Sequence, residues 1–279
     1  MPFFTSPTDS ARLYYRDYVP DDIAFQPKSQ QTSPLTLVFL HGWPMSSRMF
    51  EHVLPPLCES YRFRCIAPDR RGFGQSDWTG YPSSQTLSWE VLVADLVGLL
   101  TTLKVDNFIF IGASMDCTES LYSYQTSDLI RKRCKGFVWI GPVMPYPLQS
   151  PSHPLSPSIE LWETILDGLR KNRPQFVADS LPGIFAIGAG NGVHPKVLEH
   201  FERIVAEADG FAIEKTVSIF NQPTDTKLQA LAAEDNEIPI IVLHGDADQG
   251  IPLEASAVLV KDIVPWVELK VYKNAGHGK

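Results

Sequence analysis

The sequence of 279 residues is poor in several features that mark particular classes of protein. It has only four cysteines, and none stands in a C-x-x-C pair, which argues against a disulfide framework and against a cysteine-based metal site. Its apolar runs have the length of single strands, so we expect no membrane-spanning segment. The first residues carry neither a basic region nor a long apolar stretch, and we therefore expect an intracellular, cytoplasmic protein without a signal peptide.

Positive charge is also scarce. The chain has 24 lysines and arginines against 32 aspartates and glutamates, which leaves a formal net charge of -8. The one basic cluster, at residues 131–133, is short and is expected at a solvated helix end. Because binding of nucleic acid requires a basic stripe, we expect no nucleic-acid partner.

Strand-like and helix-like patterns alternate along most of the chain. Apolar or alternating runs predict strands at 12–19, 35–40, 63–67, 108–111, 137–140, 240–243 and 267–271. Apolar residues at spacings of three and four predict helices at 46–59, 87–103 and 253–262, with a further helical stretch between 111 and 137. This alternation predicts an α/β protein with a mostly parallel central sheet and helices on both faces.

One region interrupts the alternation. Six prolines lie within residues 142–157, where they prevent a regular helix or a central strand, and helical patterns follow at 158–171, 175–180 and 195–208. We interpret residues 142–224 as a helical cap inserted into a core formed by 1–141 and 225–279. A plain helical excursion is the alternative. The cap is favoured because ligands bind beyond the carboxyl ends of such strands, where this insertion would lie.

A serine follows one of the predicted strands directly. Residues 112–116 read GASMD, between the strand at 108–111 and a helical pattern. A serine on a sharp strand-to-helix turn has a strained backbone and an exposed hydroxyl, and the N–H groups of the helix start lie beside it. Ser114 is therefore the candidate nucleophile.

A serine hydroxyl needs a base, and the base needs a carboxylate that orients it. His277 is the best placed of the seven histidines, because it lies in a loop after the last predicted strand. Residues 244–252 (HGDADQGIP) follow the preceding strand and offer two carboxylates. We prefer Asp248 to Asp246, since the first aspartate of such a loop more often holds the turn through its own backbone.

Acyl transfer also requires two donors directed at the oxyanion. The residue after the nucleophile supplies one, the N–H of Met115. The other is expected from a loop after an early strand, and residues 41–44 (HGWP) make the N–H of Trp43 the candidate. Without the serine turn, this segment would indicate only a turn followed by a core tryptophan.

Five segments together resemble the cofactor-free haloperoxidase, perhydrolase and aryl-esterase group of α/β-hydrolases. They read HGWP at 41–44, DRRGFGQSD at 69–77, GASM at 112–115, HGDADQ at 244–249 and LKVYKNAGHG at 269–278. The resemblance spans residues 35–278 and implies the α/β-hydrolase fold. It also implies a triad of Ser114, His277 and Asp248, oxyanion donors at Trp43 and Met115, and no cofactor or metal.

Two features depart from the pattern of this group. Asp116 stands where the pattern has glycine. A carboxylate in the first turn of a helix is favoured by the helix dipole, but a charge at this position would alternatively modulate the site by weakening oxyanion binding. The group usually continues with a helix after the histidine, whereas two residues follow His277 here. We therefore expect either that the chain is shortened here or that another segment covers the apolar surface on which that helix packs, and the loop of His277 would then be mobile.

The sequence thus predicts a serine hydrolase that cleaves a small-molecule carboxylic ester or lactone through an acyl-serine. The candidate walls of an apolar pocket lie in the cap and on strand-end loops, namely Val143, Met144, Phe185 and Ile251. Two alternatives stay open: a perhydrolase or haloperoxidase, and a biosynthetic or ligand-binding member whose chemistry Asp116 has altered. We expect residues of the cap to select the substrate, and the sequence is compatible with a homo-oligomer as well as with a monomer.

Overall fold

A computed structural model describes residues 2–24, 35–78, 87–190 and 192–278. These residues form one sheet of eight strands: β1 (Phe3–Thr5), β2 (Arg12–Tyr18), β3 (Thr36–Leu40), β4 (Arg64–Pro68), β5 (Phe108–Ala113), β6 (Cys134–Ile140), β7 (Ile240–Gly245) and β8 (Glu268–Tyr272). The strand order is β1-β2-β4-β3-β5-β6-β7-β8. The pairs β1–β2 and β2–β4 are antiparallel, and every pair from β4 to β8 is parallel.

Helices cover both faces of this sheet. They are α1 (Asp21–Ala24), α2 (Leu54–Glu59), α3 (Trp89–Thr102), α4 (Asp116–Thr126), α5 (Asp128–Arg133), α6 (Ile159–Ile184), α7 (Pro195–Ala206), α8 (Gly210–Phe220), α9 (Asp225–Ala232) and α10 (Ala257–Ile263). Alternate side chains of a strand point to opposite faces. In β3, Val38 accordingly joins the apolar layer under α3, α4, α9 and α10, whereas Phe39 packs on the other face with α2. The predicted α/β class is confirmed.

Two predicted helices are wrong in detail. The pattern at 46–59 forms a short 3-10 helix, Ser47–Phe50, and then the separate helix α2. The reason is Pro55 and Pro56, which have no N–H to donate and therefore lie in the first turn of a new helix. The pattern at 253–262 divides in the same way into a 3-10 helix, Leu253–Ala255, and α10.

The segment 142–224 begins irregularly and continues as helices. Its proline-rich part, which is fully described, contains only an isolated bridge between Ser150 and His153. The patterns at 158–171 and 175–180 form the single element α6, with non-helical dihedral angles at Asn172, two residues before Pro174. Helix α8 was not predicted, although the side chain of Asp209 caps it by accepting the N–H groups of Phe211 and Ala212. An aspartate before an apolar pattern is the signal that could have found it.

No helix within the described ranges is both long enough and apolar enough to cross a membrane.

Candidate active site

Ser114 occupies the turn between β5 and α4, at the carboxyl end of the central strands. Its φ angle is 58°, in the left-handed region that is strained for a residue with a side chain. Its N–H donates to the carbonyl of Ile140 at 2.8 Å, which ties the turn to β6. Close approach of strand and helix requires glycine at 112, since a Cβ there would lie 2.9 Å from main-chain atoms of residues 116 and 117. The local sequence thus holds the Ser114 hydroxyl in a fixed, strained turn.

Three side chains from separate strand ends form one hydrogen-bonded chain. The Nε2 atom of His277 lies 2.8 Å from Oγ of Ser114, and Nδ1 of His277 lies 2.6 Å from Oδ2 of Asp248. With the Nδ1–H donating to the carboxylate, Nε2 has its lone pair directed at the serine hydroxyl. This is the geometry in which a histidine can take up the proton of a serine.

The Asp248 carboxylate is held by its own loop. Its Oδ1 accepts hydrogen bonds from the N–H groups of Gly250 at 3.0 Å and Ile251 at 2.9 Å. Burial by itself would raise the pKa of Asp248, but the neighbouring His277 and the Ile251 N–H outweigh it, so the pKa lies below its usual value. The carboxylate is therefore ionised where histidine titrates.

A second histidine, to which the sequence analysis assigned no role, supports the same loop. His244 is buried, its Nε2–H donates to the carbonyl of Ile251 at 2.9 Å, and the same nitrogen lies 3.5 Å from Oδ2 of Asp248. Burial lowers the pKa of His244, which favours its neutral form. The signal that could have identified His244 from the sequence is its position two residues before Asp246, within the 244–249 segment.

Asp246, the competing carboxylate, has a different position. Its Oδ1 accepts the N–H of Asn274 at 2.6 Å. It therefore links the loop after β7 to the loop that carries His277. We expected an aspartate at this position to hold its own turn, and the structure places its contact on the neighbouring loop instead.

The loop of His277 is in contact with the end of α6. The N–H of His277 donates to the carbonyl of Ile184 at 2.8 Å. A Cβ at Gly276 would lie 2.3 Å from that carbonyl oxygen and 2.8 Å from the nitrogen of Ala186, so only glycine fits there. Residues 184–186, at the end of α6, thus lie directly against the loop of His277.

The two candidate oxyanion donors lie on segments that flank Ser114. Met115 follows the serine and precedes α4. On the other side, a Cβ at Gly42 would lie 3.4 Å from Cβ of Ser114, so the main chain leading to Trp43 runs beside the serine. The indole Nε1–H of Trp43 donates to the carbonyl of Ile213 in α8 at 3.0 Å, which connects this segment to α8.

The structure separates the four candidate pocket residues. Val143 and Ile251 lie in one apolar cluster with Met115, and this cluster also contains Trp43, Trp162 and Val217. Phe185 belongs to a neighbouring cluster of the inserted helices, and Met144 is packed into the main core on the sheet. Trp162 and Val217 were missed, because helical periodicity does not say which core loop a helix of the insertion will face.

Asp116 is fully buried in a charged cluster behind the serine turn. It is in direct contact with the guanidinium of Arg70. The same guanidinium donates to Oε2 of Glu119 from Nη2 at 2.7 Å and from Nε at 3.0 Å. The main-chain N–H of Arg70 donates to Nε2 of His41 at 2.9 Å. Two carboxylates thus share one guanidinium, an arrangement that the sequence analysis did not foresee because Arg70 is 46 positions away from Asp116.

Comparison with known proteins identifies the family to which this chain is similar. A family model described as alpha/beta hydrolase fold matches residues 36–278. The chain is 27% identical to a non-heme chloroperoxidase of Kitasatospora aureofaciens, covering all of this chain and 92% of the relative. It is also 27% identical to a bifunctional esterase/perhydrolase of Acinetobacter calcoaceticus, covering 99% and 92%. A bromoperoxidase structure from Bacillus anthracis matches with a TM-score of 0.81 and 25% identity, over 99% and 92% of the two chains.

The chain belongs to the α/β-hydrolase family. Its relatives fall within the haloperoxidase, perhydrolase and esterase group that the five sequence segments resemble, so that resemblance is confirmed.

Proposed function

We propose that this protein is a serine hydrolase that cleaves a carboxylic ester or a lactone through an acyl-serine intermediate. The observation that carries the proposal is the continuous chain of short hydrogen bonds from Asp248 through His277 to Ser114. A serine on a strained turn, a histidine with its free nitrogen directed at the hydroxyl, and an ionised carboxylate behind it are the three groups that nucleophilic acyl transfer requires.

The proposed reaction proceeds in two halves. Oγ of Ser114 attacks the ester carbonyl carbon while its proton passes to Nε2 of His277, and the carbonyl oxygen becomes an oxyanion. The N–H groups of Trp43 and Met115 are proposed to donate to that oxyanion. Collapse of the intermediate breaks the bond to the alkoxy group, which takes the proton from His277. A water molecule then attacks the acyl-serine by the same route and releases the acid.

The proposed substrate is a small molecule with an apolar acyl part. We propose that residues 142–224 act as a cap over the site, because two of their main-chain carbonyls, at Ile184 and Ile213, accept hydrogen bonds from His277 and from the indole of Trp43. The apolar cluster beside Ser114 combines core residues with Trp162 and Val217 of this segment. An acyl group placed there would be shielded from water by the core residues and by the proposed cap together.

Perhydrolysis is the second candidate, and the relatives favour it. They include a chloroperoxidase and a bifunctional esterase/perhydrolase. In this reaction hydrogen peroxide replaces water in the attack on the acyl-serine, and the product is a peracid that oxidises halide. A biosynthetic or ligand-binding member is the third candidate, with Asp116 as the departure that would support it.

One set of measurements separates these functions. A fluorophosphonate probe and p-nitrophenyl acetate are applied to the parent protein, to Ser114→Ala and to the control Ser218→Ala, an exposed serine on α8. We expect labelling and turnover in the parent and the control, and neither in Ser114→Ala. Bromination of monochlorodimedone in acetate with peroxide would add perhydrolysis to the assignment. A parent that is neither labelled nor active would contradict the proposal and favour the ligand-binding candidate.

A further inference from the structure

Three potential metal ligands converge between the core and the inserted helices. Glu51 and His52 lie just after the 3-10 helix Ser47–Phe50, and His200 lies on α7. One ligand atom of each, a carboxylate oxygen or an imidazole nitrogen, lies within 4.8 Å of the other two. They are not part of the proposed triad, and the proposed hydrolysis uses none of them.

We propose that Glu51, His52 and His200 bind a divalent transition-metal ion of the zinc type, and that this ion fastens α7 to the core. Two imidazoles and one carboxylate form a ligand set that suits Zn²⁺ and its neighbours in the first transition row, whereas Mg²⁺ and Ca²⁺ prefer sites made of oxygen atoms alone. Water would complete a tetrahedral shell, since His52 is exposed.

The hydrogen-bond state of the ligands supports a cation at this position. Nε2 of His200 is buried and makes no hydrogen bond to any described residue, although Oε1 of Glu51 lies 3.3 Å away. A ring nitrogen without a donor or acceptor partner is costly inside a protein, and coordination of a metal ion would satisfy it.

Neighbouring charges favour the same conclusion. Arg48 approaches the other oxygen of Glu51, Oε2, at 3.6 Å and forms a closer ion pair of 2.8 Å with Glu207. The two carboxylates outnumber the single guanidinium, so Arg48, Glu51 and Glu207 together carry one net negative charge. Oε1 of Glu51 remains directed at His200 and is available as a ligand.

Coordination requires only a small contraction. Donor atoms about 2.0–2.1 Å from a tetrahedral zinc ion lie roughly 3.3 Å from each other, which is the distance that already separates Glu51 and His200. His52 must therefore make most of the adjustment. The centroids of its ring and that of His200 are 5.7 Å apart, and rotation of the exposed His52 side chain can bring its nitrogen closer.

The site has a connection to the proposed base. Phe201, next to His200 on α7, packs edge to face on Phe185 at a centroid distance of 5.0 Å. Phe185 follows Ile184, whose carbonyl accepts the N–H of His277. An ion that fixes α7 therefore also restrains the segment against which the loop of His277 rests.

The test measures zinc binding directly and does not depend on ester hydrolysis. The protein is freed of metal with a chelator and titrated with Zn²⁺ by calorimetry, and with Co²⁺ by visible absorption, which reports coordination geometry. The variants are His52→Ala and His200→Ala, and the matched control is His153→Ala, a histidine that stacks on Tyr146. His277→Ala is included because the proposed base is itself an imidazole.

We expect one zinc ion per chain in the parent, in His153→Ala and in His277→Ala. Binding should be at least about tenfold weaker in His52→Ala and in His200→Ala, and zinc should raise the Tm of the parent but not of these two variants. Circular dichroism of the metal-free variants verifies that they fold, and His52→Ala is a safe test because its side chain is exposed. The proposal is overturned if the parent shows no saturable zinc binding, or if both variants bind zinc as the parent does, in which case Glu51 and His200 form only an ion pair.

Discussion

The main-chain carbonyl of Ile184, at the end of α6, accepts a hydrogen bond of 2.8 Å from the N–H of His277. The proposed base is thus held by Asp248, in the loop after β7, and by the end of α6. A helix 93 positions earlier in the chain therefore helps to set where its imidazole lies.

Substitution of Gly276 by alanine should damage activity. The new Cβ would lie 2.3 Å from the carbonyl oxygen of Ile184, so the loop or α6 must move. Overpacking of this kind costs about 1–3 kcal/mol, and a displacement of the base by about 1 Å lowers the rate by as much as about a hundredfold. We expect kcat for p-nitrophenyl acetate to fall at least about tenfold. Gly188→Ala is the control, since a Cβ added there would meet no atom of the described residues within 4 Å; equal activity of both variants would contradict the prediction.

Asp116 should matter more for stability than for chemistry. The carboxylate of Asp116 is paired with the guanidinium of Arg70. Removal of this carboxylate in Asp116→Gly should therefore change kcat/KM for p-nitrophenyl acetate by less than tenfold, which corresponds to about 1.4 kcal/mol. Asp116→Asn should lower the free energy of unfolding by about 1–3 kcal/mol, because the buried guanidinium of Arg70 loses one of its two charged partners. A larger change of kcat/KM in Asp116→Gly would instead assign Asp116 a role in the reaction.

Replacement of the shared cation should be worse for stability than loss of either carboxylate. In Arg70→Met, Asp116 and Glu119 both remain buried without a guanidinium, and breaking a buried ion pair in this way costs about 3–5 kcal/mol. In urea unfolding, the free energy of unfolding should therefore be lowest for Arg70→Met, higher for Asp116→Asn and highest for the parent. The reverse order would show that Arg70 is not the group that compensates the two carboxylates.

His41 should make the stability of the protein fall in acid. Burial, together with the nearby Arg70 charge, lowers its pKa to about 3. Histidine in the unfolded chain binds a proton near pH 6.5, so between about pH 6.5 and 3 the unfolded state holds one proton more than the folded state. The free energy of unfolding then decreases by up to about 1.4 kcal/mol for each unit of falling pH.

The variant His41→Gln tests this linkage while keeping an acceptor for the N–H of Arg70. Urea unfolding between about pH 4.5 and 6 should show a slope against pH that is shallower than that of the parent by about 1 kcal/mol per unit. The surface variant Ser218→Ala, which changes no titratable group, serves as the control and should keep the slope of the parent. Parallel curves for His41→Gln and the parent would mean that His41 is protonated in the folded state.

Trp162 should limit the length of the acyl chain. It lies in the apolar cluster beside Met115 and packs edge to face on Trp43 at 5.9 Å. Trp162→Leu removes part of that wall, and each additional buried methylene is worth about 0.8 kcal/mol. We expect the ratio of kcat/KM for p-nitrophenyl octanoate over acetate to rise at least about fivefold. Trp266→Leu, a change on the far side of the core beside Ile238, should leave the ratio unchanged; a similar ratio in both variants would place the acyl chain elsewhere.

The sequence was sufficient for the features that depend on local pattern. Short apolar runs marked the parallel strands, and the GASMD turn identified Ser114 because strain, small neighbours and a following helix are encoded within five residues. Loops that follow strands brought His277 and Asp248 into consideration, since the carboxyl ends of parallel strands meet at one edge of the sheet. The helical boundaries were less accurate where two prolines divide one apolar pattern, as in α2.

Tertiary structure decided the relationships between distant segments. Only the packed chain shows that Asp248 lies against His277 while Asp246 holds the neighbouring loop, because both aspartates occur in the same local pattern. The contact of Ile184 with the proposed base and the pairing of Asp116 with Arg70 have no signature in either segment alone. Periodicity records which face of an element is apolar. It does not record which distant element covers that face or which buried charge meets its partner there.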